Sequence, residues 1–377
     1  MLRRGGIAGT GSTVVSTPKT RITPKPVNLA LQGGGSHGAL TWGVLDRLLE
    51  EPRLSIAEIS GTSAGAMNAV VLACGFARGG AEGARADLAA FWRAVSDAAR
   101  FSPAQRTWWD RMRGSYSLDM SPGYLLLEGI SRLYSPYDLN PLDFNPLRDL
   151  IGASVDFDLV NCPGGIRTHV TATNVRSGLP RVFSTGELSV EAVLASACLP
   201  QMYKAVEIGG EAYWDGGFSA NPALYPLVLN EASPDIIIVQ INPVYRDRLP
   251  RSARDIINRA NEISFNTSLI KELRTLALAQ RMAVRFSGTA AETELGTGKL
   301  FLHMIHVDEE VQDLAASSKL GAEWEYLTLL FDRGRRWADL WIAEHFDDVG
   351  AASTFNVEDL FTEGGPRSAK LPPPIAG

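Results

Sequence analysis

The sequence predicts an α/β fold with a mainly parallel central sheet, and three observations carry that expectation. Short apolar runs alternate with amphipathic helical patterns along most of the chain. The run Ile236 to Ile241 is apolar without interruption, as suits a strand of a parallel sheet covered on both faces. Two glycine-rich turns, Gln32 to Leu40 and Gly61 to Gly65, each follow a strand pattern and open a helical one. With 377 residues, 45% hydrophobic and 21% charged, the chain can bury a large core.

In chain order, residues 1–26 are rich in Gly, Ser, Thr and Pro, carry Arg3, Arg4, Lys19, Arg21 and Lys25, and hold no acid. Such a segment cannot bury a core and is expected to be a disordered basic arm. Val27–Leu31 is a short apolar strand, followed by a glycine run and an amphipathic helix to about Glu50. Leu54–Ser60 is the next strand and Ala64 onward a helix with Met67, Val70 and Leu72 on its buried face. Ala81–Arg100 repeats the amphipathic pattern with Leu88, Phe91, Trp92 and Val95. Residues 101–145 are irregular and aromatic, the texture of a lid or ligand-lining insertion or of aromatics packed onto the core.

Asn145–Ile151 is a short helix, and Arg167–Thr173 a strand partnered by Arg181–Phe183. Ser189–Cys198 is helical and stops before Pro200. Ala205–Ile208 and Glu211–Trp214 form a hairpin across Gly209-Gly210. Beyond the strand at Ile236, a helix over Ser252–Ala283, a strand over Lys299–Val307 and a helix over Lys319–His345 complete the alternation; a disordered tail is expected over 364–377. Residues 27–230 hold every motif and form the core, and 231–363 complete the same domain.

Composition narrows the function. A net charge of -6, from 36 basic and 42 acidic residues, argues against nucleic-acid partners. Cys74, Cys162 and Cys198 are too dispersed for a disulfide framework or a metal cluster, so no metal and no cofactor are expected, and a reducing, cytoplasmic setting fits. No run approaches the roughly 18 apolar residues of a spanning helix, which leaves peripheral contact as the only membrane association expected. The oligomeric state is unspecified.

Gly61-Thr62-Ser63-Ala64-Gly65 places a serine on a sharp strand-to-helix turn, flanked by glycines that leave room for crossing backbone. The helix N-terminus behind Ser63 favours negative charge there. A hydroxyl needs a base, and Asp215, in Trp214-Asp215-Gly216-Gly217, stands on a bend where backbone can approach substrate. None of His37, His169, His303, His306 and His345 has the place of a triad base, so a Ser-Asp dyad is the simpler proposal. The glycine run Gly33-Gly34-Gly35-Ser36-His37-Gly38 can turn several N–H groups toward one oxyanion. It also satisfies a dinucleotide fingerprint through Gly33, Gly35 and Gly38, with Glu58 near the distance of a ribose-binding acid. A nucleotide-binding reading therefore stands beside the hydrolase one.

These three blocks, in this order, resemble the patatin-like phospholipases over roughly residues 27–230. The runs Ala195-Ser196-Ala197-Cys198-Leu199-Pro200 and Asn221-Pro222 resemble the family pattern too, whereas His37 departs from it, standing where Arg or Lys often follows the glycines. The resemblance implies a patatin-like three-layer α/β/α sandwich with additional C-terminal helices and hydrolysis of lipid acyl esters. It implies Ser63 as nucleophile, Asp215 as base, Gly33, Gly34, Gly35 and Ser36 around the oxyanion hole, and Gly61 and Gly65 as the elbow glycines. The partner implied is a lipid or other acyl-ester substrate. A vestigial, lipid-binding member is the remaining alternative.

Overall fold

The computed structural model describes residues 23–230, 232–246, 249–285, 300–306 and 314–361. The basic arm expected over 1–26 lies outside the described residues as far as residue 22, and the tail expected over 364–377 lies wholly outside them.

Eight strands form one sheet: β1 (Lys25–Leu31), β2 (Leu54–Thr62), β3 (Arg167–Asn174), β4 (Pro180–Ser184), β5 (Val206–Ile208), β6 (Glu211–Asp215), β7 (Asp235–Gln240) and β8 (Phe301–His306). The order is β5-β6-β3-β2-β1-β7-β8, with β4 paired to β3. Strands β3, β2, β1, β7 and β8 run parallel, while β4, β5 and β6 join antiparallel. The helices are α1 (Gly38–Leu49), α2 (Ala64–Ala98), α3 (Trp108–Met112), α4 (Pro122–Ser131), α5 (Pro136–Leu139), α6 (Pro146–Ser154), α7 (Phe157–Val160), α8 (Val190–Ser196), α9 (Tyr225–Leu229), α10 (Ala253–Arg285) and α11 (Trp324–His345).

The two-residue period of the strands divides the core. Leu29, Leu31, Ile59, Ile237, Val239 and Ile305 face α1, α2 and α11. Ala30, Ile236, Ile238, Leu302 and Met304 face Leu224 and Leu227 beside α9 and Leu269 and Leu273 of α10. The result is a three-layer α/β/α sandwich. From β1 the chain proceeds through β2 and β3 on one side and later adds β7 and β8 on the other, so the strand order reverses at β1. In open α/β sheets the crevice beyond the carboxyl ends of the strands at such a reversal is where ligands bind.

Three boundaries differ from the sequence expectation. The first strand opens at Lys25, inside the expected arm, because the Lys25 ammonium donates to the carbonyls of Phe346 (3.2 Å) and Val349 (2.7 Å) and ties the strand end to the C-terminal segment. The helix expected from Ala81 is the second half of α2, which bends at Gly79-Gly80, where Gly80 takes φ 62°. The helix expected over Lys319–His345 is interrupted: a 3-10 turn covers Ala316–Leu320, and α11 starts at Trp324 after an extended Glu323 (φ -63°, ψ 136°) whose carboxylate is held by Arg106.

Helices α1 and α11 cross with their backbones in contact. A Cβ on Gly43 would collide with the carbonyl of Phe331, and one on Gly334 with the carbonyl of Leu40. Backbone cannot yield as a side-chain tip can. Gly334→Ala is therefore expected to destabilise the fold by about 1–3 kcal/mol, as overpacking does, read as a lower urea midpoint at unchanged slope. Gly152→Ala in α6, where an added methyl meets nothing within 4 Å, is the control and should leave the midpoint unchanged or raised; equal midpoints for the two variants would contradict the close crossing.

Candidate functional site

Ser63 sits between the end of β2 and the start of α2 with φ 55° and ψ -122°. A non-glycine residue at positive φ costs on the order of 1–3 kcal/mol and persists only where its surroundings impose it. Here the Ser63 N–H donates to Ser196 Oγ (2.8 Å) and its carbonyl accepts from Met67 N (3.1 Å). Gly65 packs so tightly under β1 that a Cβ would collide with the Leu31 carbonyl, and a Cβ on Gly61 would lie 2.5 Å from the Gly65 oxygen. Both glycines are therefore required by the crossing.

Asp215 ends β6 at the switch into a short 3-10 turn, buried to 3% exposure. Side chains of β2 and β3 fix the Asp215 loop against the serine turn. Thr62 Oγ1 donates to the Ala220 carbonyl (2.9 Å), Ser60 Oγ to that of Ala223 (2.6 Å) and Thr173 Oγ1 to that of Asp215 (2.8 Å). The Asp215 carboxylate accepts from Gly217 N at 2.7 Å and shares its cavity with Ser63, whose hydroxyl favours the charged form. Burial pushes this carboxyl up from its ordinary 3.8 to about 6, against the opposing pull of the Gly217 and Ser63 hydrogen bonds.

The glycine run follows β1 and lies beside Ser63. Gly33 is brought in for closeness: a Cβ there would stand 2.7 Å from both Ser63 Cβ and the Thr62 carbonyl oxygen. Its N–H, however, donates to Asn221 Oδ1 at 2.7 Å, which corrects the expectation that Gly33 serves as an oxyanion donor. An amide already satisfied by a buried acceptor offers no hydrogen to a second one. The N–H groups of Gly34, Gly35 and Ser36 have no acceptor among the described residues, and Gly35 takes φ 60°.

These elements close a cavity of about 250 Å³ containing Ser63, Asp215 and Gly33 to Ser36, with walls from Met67, Phe91, Trp92, Leu199, Met202 and Phe265. Apart from the polar groups just described the lining is mostly apolar, suited to an acyl chain. Two lining groups escaped the sequence reading. Lys319 enters from a 3-10 turn 284 positions beyond Gly35 in sequence, and Asn221 belongs to a loop that carried only a motif likeness; a lysine in a polar stretch gives no linear signal of burial.

None of the five histidines lines this cavity. His37 is buried, and its Nε2 lies 2.9 Å from Ser318 Oγ, which itself donates to Ala315 O and accepts from Tyr326 OH. The proton must then sit on His37 Nε2. Burial, with Lys319 and Arg246 adding, holds this imidazole well below its ordinary value, so it is neutral at pH 7. Glu58, the would-be ribose ligand, is buried mid-strand against Arg167 (2.5 Å), His169 (3.6 Å) and Asn230 (3.3 Å), rather than presented at the tip of β2. The aromatic insertion divides between solvent and core. Trp108 (63% exposed), Trp109 and Phe101 face solvent and line no part of the cavity, whereas Tyr116 stacks on Tyr326 at 4.6 Å.

A family model described as patatin-like phospholipase matches residues 29–228, more than half of the chain. No curated protein matches it. Among solved structures that match, VipD from Legionella pneumophila is 16% identical with a TM-score of 0.36, covering 84% of this chain and 67% of that one.

The Asp215 environment sets a pH dependence. Because its folded value lies above the unfolded one, stability is greatest below pH 3.8 as far as this group is concerned and is lost as pH rises through about 6. Asp215→Asn removes the charge that desolvation penalises, and at pH 7 should raise stability by on the order of 3 kcal/mol, roughly 1.4 kcal/mol for each pKa unit. Chemical denaturation of both proteins at pH 4 and pH 7 checks this: the advantage of the variant should be present at pH 7 and shrink toward pH 4, and an advantage independent of pH would contradict the assignment.

Proposed function

The chain belongs to the patatin-like phospholipase family, and on that premise we propose that it hydrolyses lipid acyl esters through a Ser63–Asp215 dyad and an acyl-enzyme. The observation that carries this reading is the meeting of Ser63 and the buried Asp215 in one cavity at the carboxyl edge of the sheet, beside three N–H groups without an acceptor among the described residues. In the first half-reaction Ser63 Oγ attacks the ester carbonyl carbon as its proton passes to Asp215. The carbonyl oxygen becomes an oxyanion facing Gly34, Gly35 and Ser36, where preorganised amides act without reorientation. Collapse expels the alcohol, which takes the proton from Asp215, and leaves the acyl group on Ser63. Water then attacks with Asp215 again as base, releasing the fatty acid and restoring the serine.

A lipid also has to reach the cavity. Phe101, Trp108, Trp109, Leu126, Leu133 and Leu142 are all more than half exposed, and α4 buries none of its residues. The same insertion abuts the cavity wall, since Lys204 Nζ donates to the Pro141 carbonyl (2.9 Å) and Ala205 N to Tyr137 OH (3.3 Å), next to Tyr203. Exposed indoles beside leucines suit insertion at the headgroup level of a bilayer. Among the described residues no helix is long and apolar enough to cross a membrane, so the contact proposed is peripheral.

Two experiments test these statements. Ser63→Ala should lower kcat for a chromogenic fatty-acyl ester by about a thousandfold or more and abolish labelling by a fluorophosphonate; persistent turnover, or labelling at another residue, would refute the nucleophile. Trp108→Ala with Trp109→Ala should weaken flotation with phosphatidylcholine vesicles by about tenfold or more, each anchor contributing about 1–3 kcal/mol of burial, while hydrolysis of a soluble short-chain ester is retained. Unchanged flotation would remove the insertion from membrane contact.

A further inference from the structure

Among the described residues Lys319 is the one cation lining the cavity, and its ammonium makes no ion pair with a carboxylate there. It donates to Asn242 Oδ1 at 2.7 Å. Asn242 in turn donates through Nδ2 to the carbonyl oxygen of Gly33 at 2.6 Å. The Gly33-Gly34 peptide is trans, so its C=O and N–H point in opposite directions. A donor anchored on the Gly33 oxygen therefore fixes the direction of the Gly34 N–H, one of the three amides without an acceptor. Gln32 holds the frame: its Oε1 accepts from Ile241 N (2.9 Å) and Asn242 N (2.8 Å), and its Nε2 donates to Asn266 Oδ1 (2.8 Å).

We propose that Lys319 is a positioning residue for ester hydrolysis, orienting and polarising the Gly33-Gly34 peptide through Asn242 so that the Gly34 N–H is a stronger oxyanion donor. The inference rests on the hydrolase reading above. Hydrogen bonds in series polarise one another, and a charged donor at the head of the chain strengthens the effect in a low-dielectric site. The lysine backbone takes part as well, because the Lys319 carbonyl packs where a Cβ on Gly35 would be, at 2.5 Å.

Among the described residues few charged groups face this ammonium. Glu262 of α10, itself bridged by Arg246 (2.6 Å) and Arg259 (3.2 Å), attracts it; Arg246 repels it. His37 on the glycine run is neutral at pH 7, and Asp215 and Ser63 share the cavity. Desolvation is the largest influence and holds Lys319 down to about 8, with Glu262 opposing and Arg246 adding. The relay is thus charged at pH 7 and uncharged above about 8, so oxyanion stabilisation should fade as pH rises.

The test is the pH dependence of kcat for p-nitrophenyl butyrate from pH 6 to 10, with wild type, Lys319→Met, Lys319→Arg, Asn242→Ala and the Lys319→Met/Asn242→Ala double variant, each checked for folding by thermal melting. Wild type should lose kcat above about pH 8. Lys319→Met should lower kcat at pH 7 by about tenfold to a hundredfold, less than deleting a direct oxyanion donor, with KM within about twofold and no alkaline fall. Lys319→Arg, whose charge persists through pH 10, should keep most of kcat at pH 7 and remove the alkaline fall. Asn242→Ala should match Lys319→Met, and the two losses should not add. A wild type without an alkaline fall, a Lys319→Met enzyme with normal kcat, or additive losses would each overturn the relay; where a variant does not fold, the wild-type and Lys319→Arg profiles decide. Absence of ester turnover in wild type would instead refute the hydrolase reading itself.

Discussion

The site depends on how closely two turns can cross at the carboxyl edge of the sheet. Gly65 slides under the carbonyl of Leu31, and Gly33 leaves no space for a Cβ against Ser63 and Thr62. Only backbone without side chains fits on both sides of that crossing. Because it fits, the turn after β2 can throw Ser63 into positive φ and the loop after β1 can bring its amides alongside. The hydroxyls of Ser60 and Thr62 then pin the loop that delivers Asp215, so the serine and the acid share one rigid frame built on the central strands.

Two ionisable groups in this frame are held away from their ordinary ranges by the same cause. Burial raises Asp215 and lowers Lys319, and both shifts oppose the charged form. Among the described residues neither group is neutralised by a direct ion pair. Asp215 is supported by the Gly217 amide and the Ser63 hydroxyl, and Lys319 by the Asn242 side chain. Between about pH 6 and 8 both are charged, the pH window in which the proposed base and the proposed amide relay coexist. Groups shifted by desolvation inside a cleft are a recurrent mark of functional sites.

The rest of the molecule divides between packing and exposure. The α1–α11 crossing and the two apolar faces of the sheet hold the site rigidly. The insertion between α2 and α6 does the reverse, turning indoles and leucines outward beside the cavity wall. An apolar surface of that kind, next to an apolar cavity, is consistent with a substrate that is itself amphipathic.

Much of this was legible in the residues themselves. Strand alternation, the apolar run at Ile236 and the paired glycines at Gly209-Gly210 specify elements through local periodicity and backbone freedom, which act over a few residues. The Ser63 turn was readable for the same reason, since Gly61 and Gly65 constrain a conformation inside one pentapeptide. What the chain alone could not express were relations across long separations. The occupation of the Gly33 amide by Asn221, the outward face of the 101–145 insertion, the break before α11 and the arrival of Lys319 at the glycine loop arise only when distant segments pack, because burial, desolvation and hydrogen-bond partners are properties of the assembled sheet. Composition and spacing nominated the candidate groups; tertiary packing alone decided their burial, their charge states and which amides of the glycine run lack an acceptor among the described residues.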